Sequence, residues 1–377
     1  MKRIIYIFFM GMLCALNSMG QPFDVVLNTA QQGNVTVQAR NSITLAAGYS
    51  YTPNGGTFLT QIANPVITGF TSYATAINPS TYSINPSLAV GKTPGELNVS
   101  GMAGYTVPLD LPKGSAGLQP NLSLNYVSSF NDGIMGIGWN IGGLSAINRV
   151  GRNFYFENQS QAVKGDLNDK YELDGKRLIV SNAYSYGSAG SVYGTEIEEF
   201  SKITALGETG SGPISFEVRT KSGLICEYGN TSDSKILRNA SCILTWKINK
   251  ITDRYGNSIS FSYFESDDER PVLQILYAGT TSTLAEINFR YKQRSDISTY
   301  VYGGKEFTRD LLLDNIEMKN NGQTYKKYEL GYMLDNYAQL QKITEYSSQN
   351  QPLNPLVFTY TKQTDQVTYP ALYTNLV

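Results

Sequence analysis

GIMGIGWNIGG, residues 133–143, sets five glycines around Trp139, one of two tryptophans in the chain. Such a cluster is either a phosphate cradle, which means an α/β nucleotide fold, or a tight turn packed against a neighbouring strand. A dinucleotide loop needs G-x-G-x-x-G between a strand and a helix, with the phosphate on the helix N-terminus. Here Gly136-x-Gly138 is followed by Ile141 where the third glycine belongs. The continuation LSAINRVGRNFYF (144–156) reads as strand, and the cluster holds no Gly-Lys-Ser/Thr of a Walker A loop. The glycines therefore serve geometry: the backbone turns tightly and approaches a strand while Trp139 and the Ile and Met side chains fill the core.

The neighbouring segments support this. LNVSGMAGYTVPLDL (97–111), NLSLNYV (121–127), SFEVRTKSGLICEYG (215–229), LTWKINKITDRYGNSISFSYF (244–264) and AEINFRYK (285–292) alternate apolar and polar residues. No comparable window keeps a helical period. INKITDRYGNSISFSY (248–263), LDNIEMKNNGQTYKKYELGY (313–332) and LQKITEYSSQNQPLNPLVFTY (340–360) each read as strand, polar turn, then a strand ending in an aromatic or leucine, one residue, and Tyr. The fold class is all-β: tandem antiparallel hairpins forming a large sheet or open cocoon wall.

Composition narrows the function. With no histidine among 377 residues, Ser-His-Asp and Cys-His nucleophiles, histidine-bearing zinc sites and imidazole acid-base chemistry are excluded. Charged residues make up 16%, against about 25% in a typical soluble domain. There are 27 tyrosines and 35 glycines, as in exported β-rich proteins.

Residues 1–20 read as a signal peptide: Lys2 and Arg3, an apolar run Ile4–Leu16, then small Ser18 and Gly20 before Gln21. Lipidation at Cys14 is the lesser alternative, since Leu13 precedes it where a small residue is required. Cleavage leaves 28 basic against 31 acidic residues, because Lys2 and Arg3 are lost from 30. That balance, without a basic run, argues against nucleic acid as a partner, and no later stretch reaches the ~20 apolar residues of a membrane-spanning helix. The expected location is secreted or cell surface.

Residues 21–63 form a small β module. VTVQA, SITLAAGY and TFLTQIA are short alternating runs between turns, expected to form a three-stranded meander. ARNSITLAAGYSYTPNGGTFLTQI (39–62) resembles stack modules near the start of exported surface proteins. Residues 64–95, scattered with Asn, Pro, Ser and Thr, read as a linker, and 96–377 as one β-shell region. Cys226 and Cys242 lie on strand-like segments, where a disulfide across a hairpin and two unpaired buried thiols are both open readings.

Residues 101–149 resemble the opening signature of the SpvB family, the virulence-plasmid B proteins, shared with B components of insecticidal toxin complexes and Rhs proteins. The resemblance rests on Pro108, Pro112, Gly114, Gly117, Pro120, Leu122, Leu124, Tyr126, Ser128, Gly133, Gly136, Gly138, Trp139, Ile147 and Arg149. YELDGKRLIV (171–180), KSGLICEYGN, ITDRYGNSISFSY and KYELGY follow in the family's order. The resemblance implies a non-catalytic shell of tandem hairpins that encloses or delivers a toxic C-terminal polypeptide, with the remaining shell repeats or that cargo as partner. The family's later repeats and cargo do not occur in this sequence, so the chain is expected to be the front of a longer polypeptide or a shortened member.

Two acidic motifs remain. The enzyme domain associated with the family name uses an E-x-E pair, and Glu196-Ile197-Glu198 would set two carboxylates on one strand face. No Ser-Thr-Ser strand precedes it, so exposed strand carboxylates are the plainer account. Asp267-Asp268-Glu269 lacks the glycine turn of a calcium loop and reads as a solvated loop. No catalytic, cofactor or metal residue is assigned. The alternative function is a surface adhesin or carbohydrate-binding β protein, its abundant tyrosines recognising a cell-surface glycan or protein.

Overall fold

A computed structural model of the chain describes Ile4–Tyr6, most of residues 24–62, residues 85, 87 and 88, and residues 102–360 apart from 266, 279–283 and 335–336. The expected signal peptide and linker lie outside the described residues, except for strand β1 (Ile4–Tyr6) and the three positions near 85.

In the small module the strands are β2 (Asp24–Leu27), β3 (Gln31–Gln32), β4 (Val35–Ala39), β5 (Ser42–Leu45), β6 (Tyr51–Thr52) and β7 (Phe58–Ile62). The expected meander is corrected here, because every pairing is parallel: β2 with β5, β3 with β6 and β4 with β7, with β1 alongside β2. Two successive turns of chain thus stack like coils. Alternation looks the same in either strand direction, whereas corners such as Gly33 and Asn54-Gly55, all at positive φ, turn the chain after only a few residues. Leu27 is buried inside with Val37, Tyr49 and Phe58 against it.

The signature segment builds its own antiparallel sheet from β8 (Gly104–Pro108), β9 (Ser123–Val127) and β10 (Trp139–Gly142). Tyr105, Tyr126 and Trp139 share one cross-strand row, and Val107, Leu124 and Ile141 another. Rows two residues apart lie on the same face, so both turn their side chains toward the large sheet, where they join one continuous core.

That sheet begins as a ring. β11 (Ala146–Val150), β12 (Lys170–Leu173), β13 (Lys176–Val180), β14 (Val192–Thr195), β15 (Lys202–Thr209), β16 (Gly212–Arg219) and β17 (Ile225–Tyr228) pair in sequence order. β18 (Lys235–Asn239) is a side hairpin on β19 (Cys242–Thr252). β19 pairs with β17 through Ile248–Thr252 and with β11 through Thr245–Lys247, which closes the ring. From β19 the sheet runs on through β20 (Ser258–Tyr263), β21 (Val272–Ala278), β22 (Leu284–Tyr302), β23 (Lys305–Asn320), β24 (Gln323–Leu334), β25 (Ala338–Tyr346) and β26 (Leu356–Val357). Helix is minor, as expected, although FYFE, read as strand in the sequence, forms the single-turn helix α1 (Phe154–Glu157), capped by Asn153.

The tyrosines that end the hairpin strands follow a rule. Tyr228, Tyr263, Tyr291 and Tyr332 each follow a register shift at which the facing strand carries one extra residue: Asn249, Leu273, Asp314 and Gln341 respectively. These are β-bulges, two residues opposite one. The residues opposite the four tyrosines are Ile248, Val272, Leu313 and Leu340. The carbonyl of each accepts the hydroxyl of the next tyrosine along the sheet: Tyr263 to Ile248 at 2.6 Å, Tyr291 to Val272 at 2.5 Å, Tyr332 to Leu313 at 2.6 Å and Tyr360 to Leu340 at 2.6 Å. A bulge disrupts the backbone ladder locally, and the next unit supplies a donor at that place.

The same units fix Cys226. Two residues before each tyrosine, Phe261 faces Ile275, Phe289 faces Ile316 and Leu330 faces Ile343, while Cys226 faces Ile251 in the equivalent place. Cys242 lies nine residues before Ile251 on β19, about 30 Å away at ~3.3 Å per residue. Both cysteines are buried free thiols, so the suspected disulfide is replaced by two separate packing positions.

Candidate functional site

The segment 108–149 is where sequence placed the family residues, and it lies across the later hairpins. Pro112 is buried, and its carbonyl accepts the hydroxyl of Tyr277 at 2.7 Å. Gly114 and Gly117 frame a 3-10 turn at Ser115–Gly117, and Pro120 is buried just before β9, while Pro108 ends β8 on the exposed side. Asp110 reaches β24 twice, through its backbone N–H bonded to the Tyr328 hydroxyl at 3.2 Å and its carboxylate on Lys326 at 2.8 Å.

The glycine cluster is a turn leading into β10, with no helix on it. Gly136 has φ +78°, and a Cβ there would lie 2.4 Å from the carbonyl oxygen of Ala338, so the turn touches the backbone of β25. Gly138, at φ +80°, lies under the Tyr126 ring at a similar distance. Gly133 gives its carbonyl to Arg294. Two backbone bonds complete the seat, Ile137 N–H to Ala338 O at 3.0 Å and Leu313 N–H to Ile134 O at 2.7 Å. Met135 and Trp139 are buried. The Trp139 indole donates to the Tyr360 hydroxyl at 2.8 Å and packs 4.8 Å from the Phe358 ring, so it joins the last rung of the tyrosine series.

Two buried arginines hold this arrangement. Arg149, fully buried, donates to the carbonyls of Ile243 at 2.8 Å, Asp166 at 3.0 Å and Ser211 at 3.0 Å, and meets Asp169 at 3.4 Å. Its guanidinium lies over the rings of Tyr171 and Trp246. One side chain thereby ties β11, the β12 approach, the β15–β16 turn and β19. Arg294 on β22, which sequence reasoning missed, sits between Asp132 at 2.9 Å and Asp296 at 2.6 Å. Burial opposes its charge, but the bonds to Asp296 and Asp132 outweigh that and hold its pKa above the ordinary value. Asp296 also accepts the Ala338 N–H, and although burial would raise its pKa, the Arg294 partner keeps it low. No local signal could reveal this pairing, since Asp132 and Arg294 are 162 residues apart.

The acidic motifs resolve differently from expectation. Glu196 and Glu198 follow β14 in an exposed loop, not on a strand face; Glu198 accepts the Phe200 N–H and Glu196 faces the Arg177 N–H. The loop at 267–269 is docked, not solvated. Asp267 is buried, Asp268 pairs with Lys305 at 2.7 Å and Glu269 with Arg309 at 3.1 Å. Lys247 donates to the carbonyls of Glu269 and Arg270, both at 2.8 Å. Desolvation lowers the Lys247 pKa to about 8. Among the described residues no group of three His, Cys, Asp or Glu side chains is placed to hold a metal, and no helix is long and apolar enough to cross a membrane. Gly91-Lys92-Thr93, outside the described residues, has Pro86 where a Walker A loop needs its first glycine.

The family model for the Salmonella virulence plasmid 65kDa B protein, SpvB, matches residues 97–327. The chain belongs to the SpvB family. The matched span begins just before the signature sheet and runs through the ring into β24, so it includes the Trp139 segment with Arg294 and Leu313, whereas Ala338, Phe358 and Tyr360, on which that segment also rests, lie beyond it. Among solved structures, the SpvB-family chain is similar to the N-terminal domain of effector protein SpvB from Salmonella typhimurium strain LT2, with a TM-score of 0.54 and 15% identity over 67% of this chain and 99% of that one. It is similar also to TcdB2-TccC3, with a TM-score of 0.58 and 16% identity over 76% of this chain, and to the Photorhabdus luminescens Tc holotoxin pore, at 0.57 and 17% over 74%. The chain spans only 18% and 16% of the length of those two. At these identities the likeness is one of fold. A search of curated proteins finds no match.

Proposed function

We propose that this SpvB-family chain is a non-catalytic structural part of an exported toxin or effector: a length of β-shell that helps enclose or deliver a polypeptide cargo. Its partners are the remaining shell repeats or the cargo toxin, in the same polypeptide or as a separate chain. Residues 1–20 act as the cleaved export signal, 21–63 as an end module, 64–95 as the linker and 96–377 as the shell region.

The supporting observation is the use to which the family residues are put. Trp139 and Gly136 are spent on seating one β layer on another, an indole on a tyrosine rung and a backbone touching Ala338, and Arg149 on tying strands of the ring together through three carbonyls and Asp169. A wall that must hold its shape around a cargo needs such fixed contacts, and none of the three points a reactive group into a cleft.

Cross-linking mass spectrometry on the chain purified from the cells that export it tests the reading. Cross-links to a repeat-rich shell chain, or to a toxin domain, are expected. A chain recovered free of such partners that instead binds members of a glycan array would replace this reading with the adhesin.

A further inference from the structure

The signature sheet has a second face. Strand residues alternate between faces, so while the rows of Tyr105 and Val107 turn toward the core, the row between them stands on the far side: Thr106, Asn125 and Asn140. These three are cross-strand neighbours, with Asn125 on the central strand. They line a groove of about 340 Å³. Gly104 and Gly142, from the rows on either side, line it as well, and so does Phe130, in the turn that follows β9 and 42% exposed.

The middle of this groove holds an unfinished polar contact. A Cβ at Gly142 would lie 2.2 Å from the Asn125 amide nitrogen, so the bare backbone there leaves the space in which that side chain lies. Asn125 Oδ1 is buried without a hydrogen-bond partner. A buried acceptor left so is destabilising, and folded proteins keep few of them. Asn140 beside it is exposed and Thr106 half-buried.

The chemistry of the lining selects a ligand. None of the residues that line the groove is acidic or basic, so an ionic ligand would enter without a counter-charge. A wholly apolar one would take two amides and a hydroxyl out of water and bond none of them. A peptide strand would add to a sheet edge through its backbone, whereas this groove lies on a face. Amides and hydroxyls both donate and accept, as sugar hydroxyls do, and an aromatic ring beside them suits the C–H face of a pyranose. The volume falls within the range of small-ligand sites.

We propose that the outer face of the signature sheet binds a neutral saccharide, with Phe130 against a sugar ring and Thr106, Asn125 and Asn140 bonded to its hydroxyls. Binding turns the Asn125 amide toward the groove, where a hydroxyl gives Oδ1 the donor it lacks. The face lies opposite the one seated on the wall, so a bound saccharide leaves the shell contacts in place and the inference does not depend on the shell reading.

Isothermal titration calorimetry on the full chain tests it. The neutral probes are cello-, malto-, xylo-, manno- and chito-oligosaccharides, and oligogalacturonate is the charged one. Saturable binding of at least one neutral probe with Kd below about 1 mM is expected, with oligogalacturonate weaker by about tenfold or more. Phe130→Ala and Asn140→Ala, both at exposed positions, should each weaken the neutral probe by about tenfold with an unchanged unfolding midpoint. Silence of every neutral probe on the parent chain, tighter binding of oligogalacturonate, or neutral binding that survives either substitution would overturn the proposal. Shell membership is decided by cross-links to other chains, so a silent panel leaves that reading standing.

Discussion

The hydroxyl of Tyr332 donates to the carbonyl of Leu313 at 2.6 Å, and Leu313 is the residue that stands opposite Tyr291. Each hairpin thus completes the backbone of the one before it. The sheet from β17 to Tyr360 is bound by this overlap as well as by its strand ladder, and Trp139 fastens the signature segment to its last member.

Gly136 and Gly133 separate the roles of the cluster's glycines. Gly136→Ala puts a Cβ against the Ala338 carbonyl at positive φ, and a loss of about 2 kcal/mol or more is expected in urea unfolding. At Gly133 a Cβ meets nothing closer than the Trp139 carbonyl at 3.7 Å, and Gly133→Ala is expected within about 0.5 kcal/mol of the parent.

Arg294→Met strands Asp132 and Asp296 without their cation. Breaking a buried pair from one side typically costs about 3–5 kcal/mol. Limited proteolysis should then cut within 131–137 while the ring of strands stays intact, because Asp132 and Gly133 lose the anchor that seats their segment.

Cys226 and Cys242 should be silent toward Ellman's reagent in the folded chain, since both are buried and burial pushes the Cys226 thiol up to about 11. Guanidinium without reductant should expose both. Peptide mapping that found these two residues joined would contradict the register of β17 on β19.

Lys247 gives a pH signature. Its folded pKa, about 8, lies below its ordinary 10.5, so between these values the unfolded chain holds a proton that the folded chain has released. Stability from this group therefore rises with pH across that window and is flat below it. Unfolding free energies of the parent minus Lys247→Met should climb by on the order of 1–3 kcal/mol from pH 8 to pH 10.5, and no slope would remove the assignment.

The antiparallel wall was legible because alternation, polar turns and the recurring terminal tyrosine are local signals. The glycine cluster was legible because Ile141 breaks the phosphate pattern. What stayed hidden depends on partners far along the chain. A bulge is one residue too many relative to a facing strand, so Asp314 and Gln341 carry no mark of their own. Tyr291 escaped the repeat because the long hairpin of β22 and β23 puts its facing residue, Leu313, 22 positions on. The small module was misread because alternation does not distinguish stacked coils from a meander, and the acidic motifs because their basic partners lie up to 40 residues away.

Urea unfolding of Tyr332→Phe tests the linked wall most directly. Removing the hydroxyl leaves the buried Leu313 carbonyl without its donor, and a loss of about 1–3 kcal/mol at unchanged denaturant slope is expected. A midpoint indistinguishable from that of the parent protein would mean that the tyrosines merely fill space and that the hairpins do not complete one another.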